Sequence, residues 1–154
     1  MANPDDSEAL AAAFRNARYH VPELGVAGEV RVGTQPAALE AALGAEAFGF
    51  ITAWDSSSKA EPRMDNDAAD GALTAELERL GADHLRAYAE DAQGAHREQG
   101  WLVTDVPLPD LDRLARRFGQ DGTLAWSRGE AVRLRMYRPR PADPAAELWT
   151  DWVE

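Results

Sequence analysis

The stretch from Phe48 to Trp54 constrains the fold of this chain more than any other. Phe48, Phe50, Thr52 and Trp54 alternate with Gly49, Ile51 and Ala53, so an extended segment here has two largely apolar faces. Such a strand belongs in the middle of a sheet that is covered on both sides. Its neighbours supply the rest of a core. Asp65 or Asn66 can cap a helix in which Ala69, Leu73, Leu77 and Leu80 share one stripe, with Gly81 as its stop. His84 to Glu90 and Trp101 to Val106 read as strands flanking the turn-forming Asp91-Ala92-Gln93-Gly94, which predicts a hairpin. Pro109 and Asp110 open another helix with Leu111, Leu114, Ala115 and Phe118 on one side, closed by Gly119. Leu124 and Trp126, then Val132, Leu134 and Met136, predict a last hairpin about Arg128-Gly129.

The order is strand, helix, strand, strand, helix, strand, with one further strand. It predicts an α+β fold of the ferredoxin-like, split βαβ kind: an antiparallel sheet with two core helices on one face. Ahead of this core, Leu10, Phe14 and Ala17 give Ser7 to Ala17 helical spacing behind Asn3-Pro4-Asp5-Asp6. Gly28 to Gly33 reads as a short strand, and Thr34 with Pro36 opens a short helix that ends at Gly44. These additions are expected to cover an edge or the second face. The 154 residues suit one domain, with a core at about 48–137, an amino-terminal extension at 1–47 and an acidic tail at 141–154.

Composition removes several function classes. The 16 basic and 27 acidic residues leave a net charge of −11, which repels polyphosphates and disfavours nucleic acid as a partner. The charge is uneven: Arg128, Arg133, Arg135, Arg138 and Arg140 crowd one segment, and Asp143, Glu147, Asp151 and Glu154 follow without a base. The tail is expected to fold back on the strip or to keep the protein soluble. Arg133, Arg135 and Tyr137 would share a strand face of the kind RNA-binding sheets use, but no aromatic pair stands on the neighbouring strand. With no cysteine there is no disulfide framework, zinc finger, iron–sulfur cluster or thiol nucleophile. His20, His84 and His96 are too far apart for a compact metal site, and the calcium-loop pattern begun by Asp65 and Asp67 meets Asp70 where it needs glycine. Neither G-x-G-x-x-G nor G-x-x-x-x-G-K occurs, so no cofactor or metal is expected. Ser56-Ser57-Ser58-Lys59 has the S-x-x-K form without its companion motifs; it reads as a solvated loop or, with Arg63, a place to hold an anion. No apolar run approaches the roughly 18 residues of a membrane span, and the acidic start lacks the charge of a secretory signal, so a cytoplasmic location with no membrane contact is expected.

Following strand directions through the predicted topology brings four segments to one end of the sheet. They are the end of the first core strand with Trp54, Asp55 and Ser57, the helix start at Asn66, the hairpin with His96 and Glu98, and the helix end at Gln120. A concave, polar site made of loops on a rigid sheet is expected there. The plainer reading of the same residues makes Asp55 and Asn66 turn and cap residues, pairs Glu98 with Arg97 or Arg63, and lets Gln120 satisfy a helix end.

These residues also carry a likeness. Phe-Ile-Thr-Ala-Trp-Asp-Ser-Ser-Ser at 50–58, Asn66, Glu98 before Trp101-Leu102-Val103, and Arg-Phe-Gly-Gln at 117–120 resemble a bacterial family of uncharacterised domains, number three-two-nine-three in the domain-of-unknown-function series. The resemblance spans roughly 48–136. The family's usual Asn after the tryptophan is Asp55 here, and its following Pro is Ser56. What the resemblance implies is that Trp54, Asn66, Glu98 and Gln120 act as a set; it implies no activity. The expected function is therefore a non-catalytic module that binds a protein partner or a small polar ligand through Trp54, Asp55, Ser57, Asn66, His96, Glu98 and Gln120. The alternative is an enzyme in which Glu98 or Asp55 works beside His96 as acid and base, with Asn66 and Gln120 orienting a substrate. An acidic surface that imitates nucleic acid toward a basic partner is a variant of the first reading.

Overall fold

The computed structural model describes residues 4–54 and 65–153. Its elements are α1 (Pro4–Asn16), β1 (Arg18–His20), a 3-10 turn (Pro22–Gly28), β2 (Glu29–Val30), α2 (Ala37–Ala42), β3 (Ala47–Ile51), α3 (Asn66–Arg79) and β4 (Asp83–Glu90). There follow β5 (Glu98–Thr104), α4 (Leu108–Arg117), β6 (Gly122–Ser127), β7 (Arg133–Met136), a second 3-10 turn (Pro144–Glu147) and β8 (Thr150–Trp152).

The fold is α+β, built on one eight-stranded, strongly curled sheet of order β2-β1-β4-β5-β3-β6-β7-β8. Every adjacent pair is antiparallel except β7 and β8, which run parallel, so the purely antiparallel sheet expected from sequence is corrected to a mixed one. The reason lies in the tail. It folds back on the arginine strip, one of the two outcomes the sequence suggests, and in doing so turns through Pro144–Glu147 and lays β8 along β7. The curl is strong enough that the chain leaving β2 reaches the far side of the sheet. Gly33 N donates to Val132 O at 2.8 Å and Val132 N to Thr34 O at 3.1 Å, linking the two flanks into a half-barrel.

Local chemistry sets the boundaries. Asp65 caps α3 by accepting from Asp67 N at 2.9 Å. Gly119 follows α4 with φ +66, the left-handed conformation that ends helices without a Cβ penalty. Gly100 in β5 permits the close approach that the curl requires, because a Cβ there would stand 2.7 Å from Ile51 O and 2.9 Å from the Phe50 ring.

Strand alternation sorts the core into two layers. Phe48, Phe50, Leu102, Leu124, Trp126, Leu134 and Met136 point to the face covered by α1 and α2. Ile51, Val103 and Ala125 point to the other, under Ala69, Leu73 and Leu77 of α3 and Leu111, Leu114 and Ala115 of α4. Both faces of β3 are thus buried, as its sequence predicts. Phe48 stacks on Trp126 with centroids 5.3 Å apart.

Glu40 fastens the amino-terminal layer to the sheet. Its buried carboxylate accepts from Trp126 Nε1 at 3.1 Å, Gly129 N at 2.9 Å and Gln35 Nε2 at 3.2 Å. Arg128 completes the clamp by donating to the carbonyl oxygens of Glu40, Leu43 and Ala45. The rest of the arginine strip is neutralised as well. Arg133 forms a two-point pair with Asp151 of the tail, both contacts 3.0 Å, Arg135 a two-point pair with Asp112, Arg138 a bond to Asp121, and Arg140 one to Glu147. Burial alone would raise the Asp112 carboxyl, but hydrogen bonds from Arg135 and Tyr137 hold it below the ordinary range.

Two outcomes follow. Glu40→Ala leaves the Trp126 indole N–H buried without its acceptor and takes a second bond from Gly129 N, and should cost about 3 kcal/mol in urea unfolding. Because the Asp112 pKa is depressed in the folded state, its contribution is present above about pH 4 and lost as pH falls through the folded value. The stability gap between the natural chain and Asp112→Asn should therefore be widest near neutrality and narrow on acidification.

Candidate functional site

The end of the sheet at which β3 finishes and β5 begins carries a cavity of about 190 Å³ on the α1-covered face. Leu10 and Phe14 of α1 form its roof, Tyr19 of β1 one wall, and Phe50 and Leu124 the floor. Among the described residues, polar groups enter from Thr52 beyond β3, from Glu90, Asp91, His96 and Glu98 at the hairpin, from Gln120 just before β6 and from Thr123 within it.

Thr52, Gln120 and Tyr19 are positioned by identifiable hydrogen bonds. Thr52 Oγ1 donates to Gln99 O at 2.6 Å and accepts from Trp54 N at 3.1 Å, which continues the β3–β5 pairing beyond the last strand residue. Gln120 is buried and donates from Nε2 to Trp54 O at 2.9 Å and to Phe118 O at 3.4 Å, so it ties the end of α4 to the end of β3. Glu98 shares the strand face of Gly100 and Leu102 and therefore faces the α1 side. Tyr19 donates its hydroxyl to Phe14 O at 2.8 Å, bracing α1 against the sheet. Burial, with a smaller contribution from the Glu98 charge, pushes the Tyr19 phenol well above its usual range, so it stays protonated.

Trp54, His96, Glu98 and Gln120 do meet at one end of the sheet, but in roles that differ from one another. Trp54 contributes its backbone to the cluster. His96 is not a strand neighbour of Glu98; it lies in the turn before β5 with φ +52, its side chain 88% exposed and Nε2 3.9 Å from Asp91 Oδ2. Two residues of separation place side chains on one face only within a strand, and that condition fails here. Asn66 begins α3, which packs on the face opposite Glu98. Asp55 and Ser57, like the S-x-x-K segment and Arg63, lie outside the described residues. Of the two partners expected for Glu98, Arg97 instead pairs with Glu90 at 3.2 Å, its guanidinium 3.9 Å over the Tyr88 ring, and Arg63 lies outside the described residues. Asp91 caps the hairpin turn by accepting from Gln93 N and Ala95 N.

The roof and wall were not among the sequence candidates. Phe14 was visible only as one member of a helical stripe, and Tyr19 sits in a three-residue strand with no alternation to mark it.

A second concavity of about 280 Å³ lies at the opposite end, against α4, lined by Val106, Leu108 and Leu111. Its Arg133 and Asp151 are bonded to each other and its Arg135 to Asp112, so its charged groups already serve the fold.

Residues 51–122 match the family model described as a protein of unknown function, DUF3293. The DUF3293 segment runs from the last residue of β3 to the first of β6, shorter at both ends than the sequence likeness suggested, and includes all seven candidate residues. The α1 roof and the Tyr19 wall fall outside it. No curated protein and no solved structure matches the chain.

Gln120→Glu tests the joint between α4 and β3. It sets a carboxylate oxygen against the Trp54 carbonyl oxygen in a buried place, and should lower unfolding free energy by about 2 kcal/mol while Gln120→Leu, which removes the amide altogether, also exposes Trp54 NH to faster hydrogen exchange.

Proposed function

We propose that this chain is a non-catalytic binding module whose ligand, a small molecule, occupies the cavity beneath α1. The observation that carries the reading is the cavity itself: apolar walls, a carboxylate side chain directed to the same face, and polar neighbours held by fixed hydrogen bonds. Its volume equals the share of about six water molecules, which with its open mouth suits a ligand of roughly six to ten non-hydrogen atoms. The separation of His96 from the strand face of Glu98 favours this reading over the acid–base enzyme.

The split βαβ description belongs to the same proposal. It is supported by the contiguous order β4-β5-β3-β6, antiparallel throughout, with α3 and α4 as the two connections on one face. On this view the remaining strands and α1 are additions that turn the second face of a small core into a container. Among the described residues no helix is long and apolar enough to cross a membrane, and no cluster of His, Asp and Glu has the makings of a metal site. Pairing of the arginine strip with Asp112, Asp121, Glu147 and Asp151 supports the absence of a nucleic-acid face.

The test is a fragment screen by amide NMR. Binding fragments should shift Phe14, Tyr19, Phe50 and Leu124 together. Ala13 is exposed at the cavity rim, so Ala13→Trp should obstruct the mouth and remove those shifts while leaving the melting temperature within a few degrees. Shifts confined to other surfaces, or unaffected by Ala13→Trp, would overturn the proposal.

A further inference from the structure

The cavity beneath α1 keeps its space at three alanines. Ala13 and Ala17 on α1 and Ala89 on β4 stop at a methyl group, and Ala17 and Ala89 lie against the same core cluster as Phe14, Tyr19 and Phe50. Protein interiors ordinarily close such gaps, because a core packed to crystal density leaves few voids larger than a water molecule. Taking the binding reading above as its basis, we infer that the ligand enters this space with an aromatic ring: it is a small ring compound and not a small polar one.

The volume admits one ring. About 190 Å³ exceeds the roughly 150 Å³ of an apolar cavity that stays dry when empty and binds benzene, so a ring with a short substituent fits. The walls favour an aromatic one. Rings reach the cavity from three separate elements, Phe14 from α1, Tyr19 from β1 and Phe50 from β3. Tyr19 and Phe50 already meet edge to face, with centroids 5.1 Å apart and planes at 67°. The Tyr19 hydroxyl is bonded to Phe14 O, which holds the Tyr19 ring in place and ties it to the helix that carries the third ring. An aromatic guest extends this edge-to-face arrangement, whereas a saturated ring of the same shape gains only from the apolar area it buries. A polyol gains from neither, and would have to shed its water to lie against Phe50 and Leu124.

Three water-soluble probes of like size separate the possibilities: benzyl alcohol, cyclohexylmethanol and erythritol, titrated into the whole chain by amide NMR. Benzyl alcohol should shift Tyr19, Phe50 and Leu124 with an affinity about fivefold above that of cyclohexylmethanol, and erythritol should leave them in place. Phe14→Leu keeps the roof apolar and removes one ring, and should narrow the preference for benzyl alcohol. Ala89→Leu fills the space from the β4 side and should abolish the shifts without lowering the melting temperature. If either variant does not fold, the ranking of the three probes on the natural chain decides alone. Equal or reversed affinities of benzyl alcohol and cyclohexylmethanol, or shifts of the cavity residues by erythritol, would overturn the ring inference and leave the binding module standing. No shift of the cavity residues by any probe would overturn both.

Discussion

The structure depends on covering both faces of β3. A five-residue strand with Phe48 and Phe50 on one side and Ile51 on the other is stable only if two separate layers close over it. The α3–α4 layer comes from the crossovers that connect the core strands. The other layer has to be recruited from the first 45 residues, and it is held by polar contacts as much as by packing. Glu40 performs that function, since one carboxylate takes donors from the core strand β6, from the turn after it and from its own segment. A buried carboxylate is costly unless its acceptor positions are filled, so the same contacts that stabilise it also fix where α2 sits.

Where periodicity was long and stop signals were strong, the sequence was readable. The stripe from Ala69 to Leu77 with Asp65 as cap, the run from Leu111 to Phe118 ahead of Gly119, and the hairpin from β4 to β5 all lie within a few residues of their expected bounds. What escaped was short. β1 and β8 are three residues each, and their pairing is decided by tertiary neighbours: Tyr19 by Ala89 and Val30, Trp152 by Met136. The return of the acidic tail to the arginine strip was legible in its charge, and Asp151 does meet Arg133; that it returns as a parallel strand was not, because a three-residue strand carries no alternation to read.

The candidate site shows the same division. Convergence of Trp54, Glu98 and Gln120 follows from strand direction, which is a global property and survives small errors in element length. Face assignment does not survive them. His96 and Glu98 are two apart and could share a strand face, but the positive φ at His96 places it in the turn before β5, off that face. The cavity roof was illegible for a different reason: α1 is distant in sequence and its Phe14 looks like any other residue of an amphipathic stripe until the helix is seen to lie over the open end of the curled sheet.

A net charge of −11 on a chain with 16 basic residues does not describe a uniformly acidic surface. Arg86, Arg117, Arg128, Arg133, Arg135 and Arg138 are each committed to a carboxylate or a carbonyl, so much of the positive charge is spent inside the fold's own contacts. The opposite end of the sheet uses its charges in this way, and its concavity is lined by groups that already satisfy one another. At the α1 end the same economy holds among the described residues: the Thr52 hydroxyl and the Gln120 amide donate to the Gln99 and Trp54 carbonyl oxygens, so polar side chains at the cavity are also the fasteners of the strand ends that form it.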